Sequence, residues 1–332
     1  MKARIKAKPP EPPGWVYEPK WDGFRAIAWG GDSPRLDSRS EKPLLRYFPE
    51  LAEPLSRLPD GSVVDGEIVV ISGDVTRFDM LQQRIHPAES RITMLAEATP
   101  AEIVAFDLLA DAGEDLRDAP YQLRRRRLEA LFPELGFPWH LTPATGDFAE
   151  ASRWFSAFEA AGCDGIICKL EDGPYHEDKR EWIKWKHRRD ADCVVGGYRV
   201  HKDGDKIGSI LLGMYDSAGD LTFVGHCSGF SNTDRTVLLE QFEQLRSDES
   251  FGGGDGVRVP GGPSRWSGGK SMDWTPVTPG VVVQISYDQL EGNRFRHATR
   301  FERWRPDKPA AECTMDQLER PEGIGFSEVV FH

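Results

Sequence analysis

Lys20 stands in the run Glu18-Pro19-Lys20-Trp21-Asp22-Gly23-Phe24-Arg25, between two segments that read as strands. An amine is a nucleophile only when neutral, and free lysine keeps its proton up to a pKa of about 10.4. A lysine that does covalent chemistry must therefore be partly desolvated or lie beside other cations, since both lower that value. Lys184 and Lys186 alternate in a strand-like segment, so both point to one face. The competing reading is an exposed lysine ahead of an Asp-Gly turn, and so short a motif does not decide between them.

The elements that would position these residues follow from the pattern around them. Val63–Ile71 is rich in β-branched residues and predicts a hairpin centred on Asp65-Gly66. Further strands are expected at Phe24–Trp29, Ile103–Leu109 and Gly165–Leu170, and helices at Tyr121–Phe132 and Phe148–Ala161. This mixture predicts an α+β domain over residues 1–188. Beyond Arg189 the texture changes to Ala191–Val200, Ile207–Asp216 and Leu221–Ser228, then a helix at Asp234–Arg246. A glycine-rich stretch, expected to be mobile, runs to Gly280, and strands at Val281–Gln289 and Phe295–Trp304 follow. Five strands suit a small oligonucleotide-binding (OB) β-barrel. The expected organisation is 1–188, 189–310 and an acidic C-terminal tail at 311–332.

Length and composition agree with two soluble domains. Of the 332 residues, 39% are hydrophobic and 29% charged, and no apolar run approaches a bilayer span. The basic N-terminus lacks the apolar segment of a secretory signal, which predicts a cytoplasmic protein and no membrane contact. Five cysteines form no CxxC pair and their number is odd, so buried reduced thiols are expected rather than a zinc cluster or a disulfide framework. The net charge of -12 argues against nonspecific coating of nucleic acid. Cations are nevertheless grouped at Arg124–Arg127, at Lys184–Arg189 and at Arg294–Arg305. Four consecutive arginines cannot share one helix face, so Arg124–Arg127 reads as a mostly solvated helix.

The order of the short motifs carries a resemblance. Lys20-Trp21-Asp22-Gly23-Phe24-Arg25 resembles the K-x-D-G-x-R nucleophile motif of the covalent nucleotidyltransferases. It is followed by Asp65-Gly66-Glu67, Phe106-Asp107, Asp164-Gly165-Ile166-Ile167-Cys168-Lys169, Trp182-Ile183-Lys184-Trp185-Lys186 and Arg305-Pro306-Asp307-Lys308. Six collinear matches span nearly the whole chain. Arg35-Leu36-Asp37-Ser38-Arg39-Ser40, the ending Arg303–Lys308 and the short lead before Lys20 resemble bacterial ATP-dependent DNA ligases of the minimal two-domain, LigC-like class.

That resemblance implies a nucleotidyltransferase (adenylation) domain followed by an OB domain, sealing nicked duplex DNA with ATP, with DNA repair as the setting. Lys20 would attack the α-phosphorus and hold AMP, and AMP would pass to the 5′-phosphate of the nick before the 3′-hydroxyl displaces it. Glu18 would read the adenine edge, with Phe106 stacked on one face and Ile167 covering the other. Arg25 and Glu67 would hold the ribose, and Arg39 would contact nucleotide and DNA. Lys184 and Lys186 would face the α-phosphate and depress the pKa of Lys20. Arg305, Asp307 and Lys308 would close over the triphosphate, with a hinge near residues 187–191. Asp164, where the family usually has Glu, would contact Mg²⁺ through water, with Asp22 a weaker ligand and Mn²⁺ an alternative ion. A monomer is expected, of modest salt-sensitive affinity for nicks, aided by repair-protein partners. Two rivals remain: an RNA ligase or GTP-using capping enzyme of the same superfamily, and a catalytically dead OB-type binding module.

Overall fold

In the computed structural model, residues 1–6, 8–248, 250–252, 260, 273–318 and 322–331 are described, and they divide into two units. The first holds Met1–Lys186 together with the final residues from 321 on, and the second holds His187–Arg320.

β-branched and aromatic runs in the first unit build two sheets. In the larger, Phe24–Trp29 lies antiparallel between Arg35–Ser38 and Val63–Ser72, and Val63–Ser72 pairs in turn with Ala101–Asp111. The smaller runs Ala3–Lys6, Trp182–Trp185, Ile166–Leu170, Trp15–Pro19, with its first pair parallel. Helix Tyr121–Leu135 packs on Ala101–Asp111. Helix Phe148–Ala157 packs beside Trp15–Pro19, its start fixed by the Asp147 carboxylate accepting from Ala149 N at 2.8 Å.

Two expectations fail in this unit. Asp65-Gly66 makes no hairpin; Val63–Ser72 is one strand, and the chain turns at Gly73-Asp74, where both φ angles are positive, at 63° and 62°. The turn chemistry of Asp-Gly is overridden because Asp65 is buried against Arg25. Gly66 lies so close to the next strand that a Cβ would stand 2.9 Å from Val104 O. Nor is the arginine run uniformly solvated. Arg124 is fully buried, with Nε 2.7 Å and Nη2 3.1 Å from the Asp107 carboxylate; Arg126 is exposed.

The second unit is built on an antiparallel sheet ordered Leu221–Cys227, Ile207–Tyr215, Arg189–Val200, Val282–Tyr287, Arg300–Trp304. A bridge between Cys227 and Thr299 brings the first strand to the start of the last. Inward residues such as Val195, Ile210, Leu212, Val224 and Ile285 form its core, against which helix Asn232–Glu243 lays Leu238 and Phe242. The expected strand Phe295–Trp304 is split: Arg294–Phe295 folds back on Leu290–Glu291 around Gly292 (φ 62°) before Arg300–Trp304 begins. Most of the glycine-rich stretch, 253–259 and 261–272, lies outside the described residues, and Thr275–Pro276 pairs with Arg189–Val200.

Where an acidic C-terminal tail is expected, the described residues 311–318 and 322–331 include short helices and buried side chains. Cys313 is buried in the second unit, whereas Phe326–Val330 forms a helix in the core of the first. All five cysteines are free and buried. Among the described residues no helix is long and apolar enough to cross a membrane.

Candidate active site

Strand register explains how distant motifs meet. Ile167 is the cross-strand neighbour of both Glu18 and Lys184, so these three side chains share one face of the smaller sheet. Residues two apart on the same strands, Lys169 and Trp182, fall on that face as well. On the larger sheet Arg25 is registered opposite Glu67. Phe106 falls where the pairing with Val63–Ser72 slips between Asp65 and Gly66. Phe106 and Trp182 meet edge to face at 6.0 Å, joining the two sheets through an apolar cluster that includes Ile167. A pocket of about 580 Å³ opens there, lined among others by Glu18, Lys20, Arg25, Arg39, Glu67, Phe106, Ile167 and Lys184.

Lys20 enters this pocket from a rigid backbone. Its N–H donates to Gly165 O at 2.8 Å and its carbonyl accepts from Asp164 N at 2.7 Å. Gly165 has φ 115°, and a Cβ there would stand 2.1 Å from Trp185 O, so the approach of these strands requires glycine. The Lys20 Nζ lies 2.7 Å from Asp164 Oδ2, and the Lys186 Nζ lies 2.9 Å from the same oxygen. Lys184 has its pKa lowered, first by burial and then by the charges of Lys20 and Lys186. Burial pushes the Glu67 carboxyl up to about 7, against the opposing charges of Lys20 and Arg25; Glu67 also accepts from Gly23 N at 3.0 Å.

One end of the pocket is preorganised by a buried ion pair that the sequence reading did not single out. Lys169, 1% exposed, sits 2.8 Å from the Glu18 carboxylate and donates to Phe106 O at 2.7 Å; Tyr121 OH also donates to Glu18. Glu18 and Phe106 are thus held by one ammonium. The signal was present, since Lys169 closes the motif begun by Asp164. Arg25 is less free than expected. Its guanidinium is bidentate to Asp65, at 2.9 and 2.5 Å, and reaches Met1 O and Tyr175 OH. Arg39 is exposed on the turn after Arg35–Ser38 and also borders a neighbouring cavity of about 680 Å³. Asp22 is half-buried and is not among the residues lining the pocket.

Arg305, Asp307 and Lys308 form a cluster of their own in the second unit. Asp192 accepts from Arg305 and from Lys308, each at 2.9 Å, and Arg305 also pairs with Asp307 at 2.8 Å. Asp192 was not foreseen, because nothing local ties it to residues more than a hundred positions away. Among the described residues no group of three His, Cys, Asp or Glu side chains is arranged to hold a metal.

An amine among cations, facing an apolar slot with a buried polar end, is equipped to take up a nucleotide covalently. Residues 5–186 match the model of the ATP-dependent DNA ligase domain, and residues 203–308 that of the ATP-dependent DNA ligase C-terminal region. This chain belongs to the ATP-dependent DNA ligases. It is 47% identical to DNA ligase C2 of Mycolicibacterium smegmatis, over 93% of this chain and 91% of that one. It is 46% identical to DNA ligase C of Mycobacterium tuberculosis, over 96% and 93%. Among solved structures, a Lig E DNA ligase described as binding DNA with a minimal scaffold aligns at TM-score 0.57 and 17% identity, covering 88% of this chain and 93% of that one. The enzyme is therefore an ATP-dependent, LigC-like DNA ligase that seals nicks in duplex DNA.

Proposed function

We propose that Lys20 is the nucleophile of this ligase and that the pocket around it binds ATP. The observation that carries the assignment is that Lys20, bound with Lys186 to the Asp164 carboxylate, lines with Lys184 the slot made by Glu18, Phe106 and Ile167. The Lys20 amine attacks the α-phosphorus, pyrophosphate leaves, and AMP stays bonded to nitrogen. Attack requires the lone pair, and Asp164, 2.7 Å away, stands where the departing proton can go. Lys184 and Lys186 neutralise charge as it develops on the α-phosphate. The nick's 5′-phosphate oxygen then displaces Lys20 from phosphorus, and the 3′-hydroxyl attacks the resulting DNA-adenylate to close the phosphodiester and release AMP.

Glu18, locked by Lys169 and Tyr121, presents its carboxylate to the adenine edge, while Phe106 and Ile167 sandwich the ring. Glu67 is the ribose ligand this geometry favours; Arg25, committed to Asp65, supports that wall. Arg39 contacts nucleotide and DNA from the exposed turn. A hard cation fits this donor set, because Mg²⁺ binds through one or two carboxylates plus substrate phosphates rather than a protein cage. Asp164 would hold Mg²⁺ or Mn²⁺ through water, with Asp22 a weaker ligand, and the ion would offset phosphate charge. We assign Arg305, Asp307 and Lys308 to the triphosphate during the first step. The sheet of the second unit is proposed to be an OB barrel, supported by the Cys227–Thr299 bridge between its outer strands. Its boundary would lie near residue 188 and its end near 310. A cytoplasmic monomer working in DNA repair completes the proposal.

The test uses α-labelled ATP followed by a denaturing gel. Label retained on the wild-type chain and lost from Lys20→Ala supports the assignment. Normal adduct in the mutant overturns it, and retention from GTP alone overturns the choice of nucleotide.

A further inference from the structure

Lys20 is followed by Trp21, just past the strand Trp15–Pro19. Lys20 reaches Asp164 at the pocket; Trp21, 4% exposed, borders the same pocket and belongs to the core cluster that holds Phe326. The buried indole therefore anchors the backbone next to the residue that carries the amine. Its Nε1–H donates to Thr142 Oγ1 at 2.9 Å, and Phe326 meets its ring edge to face, centroids 5.4 Å apart.

Phe326 belongs to the short helix Phe326–Val330, which follows residues assigned to the second unit and lies in the core of the first. Its docking is specific. Phe326 N donates to Asp74 O at 2.7 Å, and Ser327 N and Oγ donate to the Asp74 carboxylate at 2.8 and 3.0 Å. Ile324 N donates to Ala157 O at 3.3 Å. Glycines allow the approach: a Cβ at Gly323 would stand 2.0 Å from Ala157 O, and one at Gly325 would stand 1.8 Å from Asp74 Oδ2. Phe326 also meets His140 edge to face at 5.1 Å, and Val329 is fully buried. A surface tail needs none of these contacts.

We propose that Phe326 is a positioning residue for the first chemical step, holding Trp21 so that the Lys20 amine is aimed at the α-phosphorus. This rests on Lys20 being the nucleophile. Because Lys20 is the attacking group only in self-adenylation, the role is confined to that step. Closure of a nick already carrying AMP, in which the 3′-hydroxyl attacks, does not depend on it. Small misplacement of a reacting group is kinetically expensive, since a shift of about 1 Å costs on the order of 10²-fold.

The experiment measures single-turnover self-adenylation of the full chain, with the amplitude and rate constant read separately. Phe326→Ala is expected to react to full amplitude with a rate constant about 10-fold lower and an ATP KM within about twofold of wild type. Phe326→Leu, which keeps most of the buried volume, should recover most of the rate and serves if the alanine variant folds poorly. Val329→Ala removes packing from the same helix but leaves the Phe326 ring against Trp21, and should keep the wild-type rate constant. Sealing of a pre-adenylated nick should be unchanged in all three. The proposal is overturned if Phe326→Ala lowers only the amplitude, if Val329→Ala slows the step equally, or if sealing of the pre-adenylated nick slows in parallel. A wild-type chain that forms no adduct would instead remove the assignment of Lys20 itself.

Discussion

The two charged clusters of this ligase are built on opposite principles. In the second unit Arg305 and Lys308 are matched by Asp192 and Asp307, two cations against two carboxylates, all satisfied by one another. In the first, Lys20 and Lys186 share Asp164 and Lys184 lies close enough for their charges to lower its pKa, while the nearby Glu67 carboxyl is pushed up to about 7 and is only partly ionised near neutrality. Among these named groups the cations outnumber the carboxylates. A balanced cluster stabilises its own unit and can serve a ligand only by exchanging partners. An unbalanced one costs stability until an anion arrives, which is the signature of a binding site.

Four measurements would sharpen or break this contrast. Replacing Lys20 by Ala should lower adduct formation by more than about 10³-fold while leaving the thermal midpoint within a few degrees of wild type, as judged by label retention and calorimetry. Lys184→Ala or Lys186→Ala should cost about 10²-fold in the rate of self-adenylation, the effect of removing one preorganised cation from a developing charge. Wild-type rates in both would mean that the cationic excess is not catalytic. Asp192→Ala, which strands Arg305 and Lys308, should destabilise the second unit by about 2 kcal/mol in urea unfolding; no change would show that the balanced cluster is not structural.

The smallest effect is expected from Glu67. The unfolded chain gives up this proton near 4.5 and the folded chain near 7, so the folded state holds more protons across that window. Stability contributed by this group therefore falls as pH rises from about 4.5 to 7 and stays lost above it. Glu67→Gln should show a flatter melting-temperature profile across that range than wild type. A parallel profile would place the Glu67 carboxyl in the ordinary range.

What could be read in advance was set by how local the cause is. That Lys20, Glu67, Lys184 and Lys186 would lie together was legible because short motifs fix residue types at fixed spacing, and the strand Phe24–Trp29 because β-branched and aromatic residues bound by turn signals impose it. Asp65-Gly66 misled because a favourable turn sequence was outweighed by Arg25, forty residues away, and by the closeness of Val104. The burial of Arg124 within a helix expected to be mostly solvated is not legible, because its partner Asp107 lies on another element. The docking of Phe326 depends on Asp74, Trp21 and His140 together, and no window of sequence contains all four.

The five cysteines have a practical consequence. Burial pushes the thiols up, to about 12 for Cys168 and about 11 for Cys313, so little thiolate is available to maleimides near neutral pH. A single new cysteine on each unit, such as Arg126→Cys and Lys202→Cys at exposed positions, would then take up fluorophores almost exclusively. Donor and acceptor dyes could be installed without first stripping the native thiols, and energy transfer could follow the separation of the two units through each turnover.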